Sequence, residues 1–306
     1  MFPWNAGESK TRRYKAWWAL LLLAAGLAGA ACSGPREIAQ PFSTPFGVGV
    51  APEYAPGLGA PLDAIGPVWY MDWKWETPTI EGHERLYVIR CWEARANRVA
   101  IQRAMWASGE AWWSLGNEPN DPNQDNVSPD QYAELYHILE VSQELAPRIH
   151  IVPAGIGNAD WQWAEAFRKA FYERYRRYPR VDAWNIHNYI LEAGQDPYDG
   201  GEFERRIEAF RAWMVRIGDG DKPLLLTEFG VLYGDGCCGR PIDPPEKILT
   251  FMHESVNWLV ESEAVSAWAW FSTRSEPYNG DLMTAAGALT DLGKRYRLLV
   301  QQHETP

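Results

Sequence analysis

The chain has 306 residues, of which 46% are hydrophobic, so it can bury the core of one large domain or of two small ones. Its formal net charge at pH 7 is −11. Nucleic-acid binding needs clustered Lys and Arg to neutralise phosphates, so this acidic composition argues against a nucleic-acid partner.

The N-terminal segment, residues 1–31, has the features of an export signal. A basic stretch at 10–15 precedes an apolar, small-residue stretch at 16–31. The apolar stretch is shorter than the roughly 20 residues that a membrane-spanning helix needs. It ends at Cys32 in a pattern similar to a bacterial lipoprotein signal, although Gly29 stands where such signals carry Leu, Val or Ile. We therefore predict an exported protein.

Three fates of this signal remain open. We favour lipid attachment at Cys32, and the alternatives are simple cleavage with secretion or a retained apolar anchor. Each places the protein outside the cell or on the outer face of the cell membrane. Residues 32–44 are then a polar, proline-containing tether, and residues 45–306 form the body of the protein.

Apolar runs in this body predict eight short strands. The runs are Phe46–Val50, Gly66–Trp73, Arg85–Trp92, Ala111–Gly116, Arg148–Pro153, Val181–Asn188, Pro223–Thr227 and Ala264–Phe271. Short apolar runs between turn residues are typical of strands that are buried on both faces, as in parallel sheets.

Helical patterns lie between most of these strands. Ser128-Pro129-Asp130-Gln131 is a capping box with proline at the first helical position. Asp160 and Asp243 are placed to begin two further helices, and a last helix is predicted at 286–300. The first two connections between strands are too short or too irregular to predict helices.

This alternation of strands and helices predicts a single-domain α/β fold, the (β/α)8 TIM barrel, which typically takes about 250 residues. An open doubly wound sheet is the alternative. That fold would bind a nucleotide at a glycine-rich turn, and Gly155-Ile156-Gly157-Asn158 is a weak match because it lacks a third glycine.

Two predicted strands end on a glutamate. The fourth strand runs into Asn117-Glu118-Pro119, where proline has no N–H with which to continue a ladder. The seventh strand, Leu224–Thr227, is followed by Glu228. Active sites of barrels lie at the carboxyl ends of the strands, so we expect these two side chains to face one bowl.

Paired carboxyl groups in such a bowl suit glycoside cleavage. One group protonates the departing oxygen, and the other attacks the anomeric carbon or activates water. A separation of about 5–5.5 Å gives retention of configuration, and about 6.5–9.5 Å gives inversion. The reaction needs no cofactor or metal, and the cysteines and histidines show no ligand spacing that indicates one.

The two glutamate motifs, Asn117-Glu118-Pro119 and Thr227-Glu228-Phe229-Gly230, resemble those of the clan A (β/α)8 retaining glycoside hydrolases. The resemblance covers roughly residues 45–303. It implies that Glu118 is the acid/base, that Glu228 is the nucleophile, and that Asn117 binds the sugar 2-hydroxyl next to the scissile bond.

Within that clan, the second strand, Trp69–Trp73, is similar to the Trp-Tyr strand of the Asl1-like catalytic domains, a group that contains endo-β-1,3-glucanases. Trp69 is accordingly predicted to bind substrate. The family pattern Phe-Asn-Glu-Pro-Asp differs from the Gly116–Asn120 segment of this chain at its first and last positions.

Four further side chains are predicted to lie at the site. His187 and Tyr189 end the sixth strand and are placed to position Glu228. Trp270, near the end of the eighth strand, resembles the tryptophan that floors the cleavage subsite in the clan. Arg90 ends the third strand, where its guanidinium can hold a carboxylate.

Outer parts of the substrate site are predicted from the residues that follow the fifth strand, Asn158 and Trp161. The chain has 17 tryptophans, far more than packing alone usually recruits, and flat indole rings are good platforms for sugars.

The sequence therefore predicts an exported, monomeric glycosidase that acts on a β-linked polysaccharide or oligosaccharide. It would be either secreted or tethered to the membrane, through Cys32 or through the N-terminal apolar segment. The alternatives are a carbohydrate-binding barrel protein without catalysis and a transglycosylase that uses the same residues.

Overall fold

Eight parallel strands in the described part of the chain form a nearly closed barrel in the computed structural model. The strands are β1 (Phe46–Gly49), β2 (Trp69–Met71), β3 (Arg85–Ile89), β4 (Ala111–Asn117), β5 (Ile149–Gly155), β6 (Trp184–Asn188), β7 (Leu224–Phe229) and β8 (Ala267–Trp270). They pair in the order β5-β4-β3-β2-β1-β8-β7-β6. A parallel bridge between Ile156 and Ile186 joins the two ends of this sheet. The predicted barrel is confirmed, and the doubly wound alternative is wrong.

The structure describes residues 40–51, 59–146, 148–192, 194–232, 245–275, 278 and 280–303. All of them belong to one compact unit, Ile38–Pro306. The predicted export signal lies outside these residues, as does the predicted helix start at Asp243. None of the helices in the described ranges is long and apolar enough to cross a membrane.

Helices follow the strands along the chain. Those in the described residues are α1 (Gly59–Asp63), α2 (Cys91–Ala96), α3 (Arg98–Ala107), α4 (Pro129–Leu145), α5 (Trp161–Tyr175), α6 (Gly200–Arg216), α7 (Pro245–Ser262) and α8 (Asp291–His303). Ser128 caps α4 in the predicted capping box with Gln131, and the Asp160 carboxylate caps α5 by accepting the N–H of Trp163.

The hydroxyl groups of two buried tyrosines link helices to the backbone of the strands by hydrogen bonds. The hydroxyl of Tyr132, on α4, donates to the Leu115 carbonyl at 2.5 Å and accepts the Ala154 N–H at 2.7 Å. It therefore links α4 to both β4 and β5. The hydroxyl of Tyr296, on α8, donates to the Gly47 carbonyl of β1 at 2.8 Å. These contacts fix the barrel wall beneath the strand ends that carry the site.

Two strand ends differ from the predicted ones. β3 stops at Ile89 rather than at Trp92, because the buried Asp125 carboxylate takes the Nε–H of Arg90 and the N–H of Cys91, where α2 begins. β7 continues through Phe229, so Glu228 lies inside the strand rather than after it.

Candidate active site

Glu118 stands at the point where the chain leaves β4. Its φ of 41° is in the left-handed region, which non-glycine residues adopt rarely and often at functional sites. Its N–H donates to the Gly155 carbonyl at 3.0 Å, which fixes the backbone. Its side chain keeps 13% of its surface exposed, so the carboxyl group remains accessible from the barrel mouth.

Glu228 is more deeply buried and is surrounded by hydrogen-bond donors. The indole N–H of Trp73 donates to Oε1 at 2.5 Å, and the hydroxyl of Tyr189 donates to Oε2 at 3.0 Å. The pKa of Glu228 is raised overall, mainly by burial; the charge of His187 lowers it, and the charge of Glu118 raises it further. Burial also raises the pKa of Tyr189 far above its usual range, which keeps its hydroxyl protonated as a donor.

His187 lies between the two glutamates. Its Nδ1 is 2.9 Å from Oε1 of Glu118, and its Nε2 is 3.5 Å from Oε1 of Glu228. Burial lowers the pKa of His187, but the charge of Glu228 and the hydrogen bond to Glu118 outweigh burial, so the net shift is upward. The imidazole is thus poised to share a proton with Glu118 and to place positive charge beside Glu228.

The contacts of Thr227 determine which nitrogen of His187 carries a proton. The Thr227 hydroxyl donates to Oδ1 of Asn185 at 2.8 Å, so it accepts from Nε2 of His187 at 3.1 Å. Nε2 is therefore protonated, and the remaining hydrogen bond of the ring, at Nδ1, is made with Glu118. Nδ1 of His187 and the Glu118 carboxylate therefore share one proton.

Gly155 makes room for the imidazole. A Cβ atom at this position would lie 1.9 Å from Nε2 of His187, far inside contact distance. The terminal glycine of β5 is thus required by the approach of a side chain from β6. Sequence patterning alone had marked Gly155 only as part of a weak nucleotide-binding motif.

A cavity of about 590 Å³ opens above the two glutamates. Aromatic rings line the side near Glu228: Phe271 packs edge-on against Trp73 at 5.5 Å and against Tyr189 at 6.2 Å. Polar side chains line the side near Glu118, among them Asn117 and Asn120. Such a mixture of flat apolar faces and hydrogen-bonding groups suits a sugar.

Asn117 and Arg90, two of the residues predicted to bind substrate, both line this cavity, and both are held by one loop. Asn117 donates from its amide to Gln124 at 3.3 Å, and its backbone N–H donates to Asp125 at 3.0 Å. Arg90 donates to Asp125 at 2.6 Å, so the carboxylate that it holds is that of Asp125 and neither predicted catalytic glutamate.

Two predicted substrate-binding tryptophans do not line the cavity, and these predictions are corrected. Trp69 begins β2, is fully buried and stacks on Phe42 at 4.4 Å. Trp270 is also fully buried, and its indole donates to the Gly280 carbonyl at 2.8 Å. The aromatic residues that line the cavity instead include Trp73 and Phe271, which follow the same two strands.

Glu118, His187 and Glu228 are the described residues whose ligand-type atoms come close enough to hold a metal ion, since one such atom of each lies within 4.8 Å of the others. Both nitrogens of His187 already face hydrogen-bond partners, Glu118 and Thr227. The arrangement is therefore explained by proton sharing among the three side chains.

Fold and site together define a class of enzyme. The glutamates meet at the carboxyl ends of parallel barrel strands, with one carboxylate oxygen of each within 4.8 Å of the other. This is a (β/α)8 glycosidase. The family model of the glycosyl hydrolase catalytic core matches residues 64–296, and the chain belongs to that family.

Solved structures of GH128 β-1,3-glucanases share the fold. The chain is 23% identical to a subgroup II endo-β-1,3-glucanase from Pseudomonas viridiflava, with a TM-score of 0.64 over 82% of this chain and 96% of that one. A subgroup I endo-β-1,3-glucanase from Amycolatopsis mediterranei, in complex with laminaritriose, is 22% identical, with a TM-score of 0.65 over 84% and 99%.

A third similar structure is a subgroup III curdlan-specific exo-β-1,3-glucanase from Blastomyces gilchristii, in complex with glucose. It is 20% identical, with a TM-score of 0.63 over 84% of this chain and 99% of that one. Comparison with curated protein sequences finds no match.

Proposed function

We propose that this glycosidase cleaves a β-linked glycan by double displacement with retention of configuration, with Glu118 as the acid/base and Glu228 as the nucleophile. The observation that carries the proposal is the short distance between their carboxylate oxygens, within 4.8 Å. An inverting enzyme must leave room for a water molecule and spaces its carboxyl groups about 6.5–9.5 Å apart.

The surroundings of the two glutamates support this division of roles. Glu228 receives hydrogen bonds from Trp73 and Tyr189 and lies beside His187, and these contacts favour its ionised form and offset part of the rise in its pKa that burial causes. A nucleophile must be ionised in order to attack. Glu118 makes its side-chain hydrogen bond with the imidazole of His187, from which it can receive a proton. An acid must hold a proton before the bond breaks.

In the first step, the Glu118 carboxyl group gives its proton to the glycosidic oxygen while Glu228 bonds to the anomeric carbon. The bond between that carbon and the departing oxygen breaks. In the second step, the Glu118 carboxylate takes a proton from water, and the water oxygen displaces Glu228 from the anomeric carbon. Both carboxyl groups return to their starting states.

A β-1,3-glucan is the substrate to test first, because the three similar solved structures are of β-1,3-glucanases. A panel of β-glucans, mannans and xylans, read by the release of reducing ends, gives the sugar and the linkage. A carbohydrate-binding barrel without catalysis would bind one of these polysaccharides and release no reducing ends over a long incubation.

Replacing Glu228 tests the proposed nucleophile. Glu228→Ala and Glu228→Gln should abolish turnover of an activated aryl β-glycoside, whereas Glu254→Gln, on the exposed face of α7, should not. Azide should restore turnover of the Glu228→Ala variant and give an α-glycosyl azide. Full activity in either Glu228 variant, or a first product of inverted configuration by NMR, would overturn the assignment.

A further inference from the structure

A second cavity, of about 640 Å³, adjoins the catalytic one. The two share three lining residues, Asn120, Gly157 and Asn158, so they form one continuous cleft. Both volumes lie within the range of about 300–1,000 Å³ that is usual for ligand sites. The second cavity extends over the start of α5 and the first turns of α6, on the β5–β6 side of the barrel.

The junction of the two cavities lies against Glu118. A Cβ atom on Gly157 would be 3.5 Å from Cδ of Glu118 and 3.3 Å from Oδ1 of Asn120. Asn120 holds Gly157 on both sides, accepting its N–H at 2.9 Å and donating to its carbonyl at 3.0 Å. Because Gly157 has no side chain, the passage beside Glu118 stays open.

The direction of the cleft follows from the roles of the two glutamates. The nucleophile contacts the anomeric carbon, and the acid contacts the oxygen of the leaving group. Glu228 lines only the first cavity, whereas the second begins beside Glu118. A sugar on the far side of the scissile oxygen would therefore extend into the second cavity.

The lining of the second cavity matches the chemistry of a neutral sugar. The half-buried ring of Trp161 supplies a flat apolar face, with the Arg216 guanidinium 5.0 Å from its centroid. Four of the charged lining side chains are already paired: Arg205 makes two 2.7 Å bonds to Glu202, and Arg206 makes a 2.8 Å bond to Glu192. The carboxylate of Asp160 accepts the N–H of Trp163 in the cap of α5. Paired charges present hydrogen-bonding groups to hydroxyls without a strong preference for a charged ligand.

We propose that the second cavity binds the sugar units on the leaving-group side of the scissile bond, with Trp161 as their stacking platform. This inference rests on the proposed function. It makes the substrate a chain that continues beyond the scissile bond. An aryl glycoside, whose leaving group is one small ring, uses the catalytic cavity alone.

The comparison of two substrates tests this inference. In Trp161→Ala, kcat/KM for laminarihexaose should fall by about tenfold, the order expected for the loss of one stacking contact. The value for an aryl β-laminaribioside should stay within about twofold of wild type. Trp161→Phe should recover most of the loss, because it keeps an aromatic face.

Trp106→Ala is the matched control, since Trp106 is 75% exposed on α3 and lines neither cavity. Equal losses on both substrates in Trp161→Ala, or no loss on either, would overturn the leaving-group site. Failure of the proposed function gives a different result, since the wild-type enzyme would then cleave neither of these substrates and release no reducing ends from the panel of β-glucans, mannans and xylans. Melting temperatures of all variants identify any loss that comes from unfolding.

Discussion

At the scale of single residues, His187 couples the two glutamates, and its charge lowers the pKa of Glu228. The upward shift of its own pKa keeps it charged at acidic pH. In His187→Gln that charge is gone, so the pKa of Glu228 rises. The acidic limb of the kcat profile should then move to higher pH by roughly one unit or more, as expected for removing an opposite charge at this distance.

His150→Gln serves as the control for that experiment, because His150 stacks on Trp112 at 4.4 Å and lines neither the catalytic cavity nor its extension. It should leave the acidic limb unchanged. An acidic limb that stays in place in His187→Gln, with only a uniform fall in kcat, would mean that His187 positions Glu118 without acting on the ionisation of Glu228.

Gly155 is a second residue that matters for His187, because an added Cβ atom at this position would displace the imidazole. In Gly155→Ala the added Cβ collides with the His187 ring, and overpacking of this kind typically costs about 1–3 kcal/mol of unfolding free energy. Denaturant unfolding should show that loss, and kcat should fall because the imidazole is displaced. Gly200→Ala, where a Cβ meets nothing within 4 Å at the start of α6, should lower neither quantity. Equal behaviour of the two variants would contradict the packing argument.

At the scale of elements, the buried carboxylate of Asp125 joins the end of β3, the start of α2 and the end of β4. It accepts from Arg90, from the N–H of Cys91 and from the N–H of Asn117. Its side chain is fully buried, and that of Arg90 is 19% exposed. Breaking a buried pair by removing one partner typically costs about 3–5 kcal/mol, because the other charge is left unpaired.

A double-mutant cycle measures the interaction free energy between Asp125 and Arg90. Asp125→Ala and Arg90→Ala should each lower the unfolding free energy, and the double variant should lose clearly less than the sum of the two. The exposed pair Arg95–Glu134 is the control, since exposed ion pairs contribute only about 0–1 kcal/mol. Additive losses for Asp125 and Arg90 would show that the carboxylate acts through its backbone contacts alone.

The elements were largely predictable from sequence, because apolar runs and capping residues are local signals. Whether a side chain lies at the start of a strand or at its carboxyl end, near the cavity, was harder to predict from the sequence. Trp69 and Trp73 lie in the same apolar run, but Trp69 begins β2, whereas Trp73 follows the end of β2 with a φ of 54°. Only Trp73, at the carboxyl end, reaches Glu228. The predicted strand already ended at Trp73, so that signal was available.

Other parts of the site depend on contacts that sequence spacing does not encode. The pairing of β7 with β8 shifts register between Leu226 and Phe229, an irregularity of β7 that alternation does not predict. On β8 alternation holds: Trp268 and Trp270 belong to one buried cluster and Ala267 and Ala269 to the other, so Phe271 rather than Trp270 lines the cavity. Likewise, no local pattern links the loop residue Asp125 to Arg90, which lies 35 positions earlier.

At the scale of the whole molecule, the described end of the predicted tether, residues 40–44, and the catalytic cavity lie at opposite ends of the barrel. Near the beginning of the described residues, Phe42 stacks on Trp69 at the start of β2, which is the amino-terminal end of the barrel strands. The glutamates lie at the carboxyl ends of β4 and β7, facing the other way. We propose that a lipid-anchored form would hold its cavity away from the point where the tether joins, accessible to a large polysaccharide.

This arrangement predicts that loss of the lipid anchor leaves the catalytic activity unchanged. Produced in a bacterium that processes lipoproteins, the wild-type protein should fractionate with membranes and incorporate a labelled fatty acid. Cys32→Ser should lose the label while the kcat of the purified enzyme stays unchanged, because residue 32 precedes the described barrel. Ser33→Ala, the neighbouring position, should keep the label. If Cys32→Ser stays in the membrane fraction without the label, the apolar segment at 16–31 is a retained anchor, since hydrophobic insertion does not depend on a thiol.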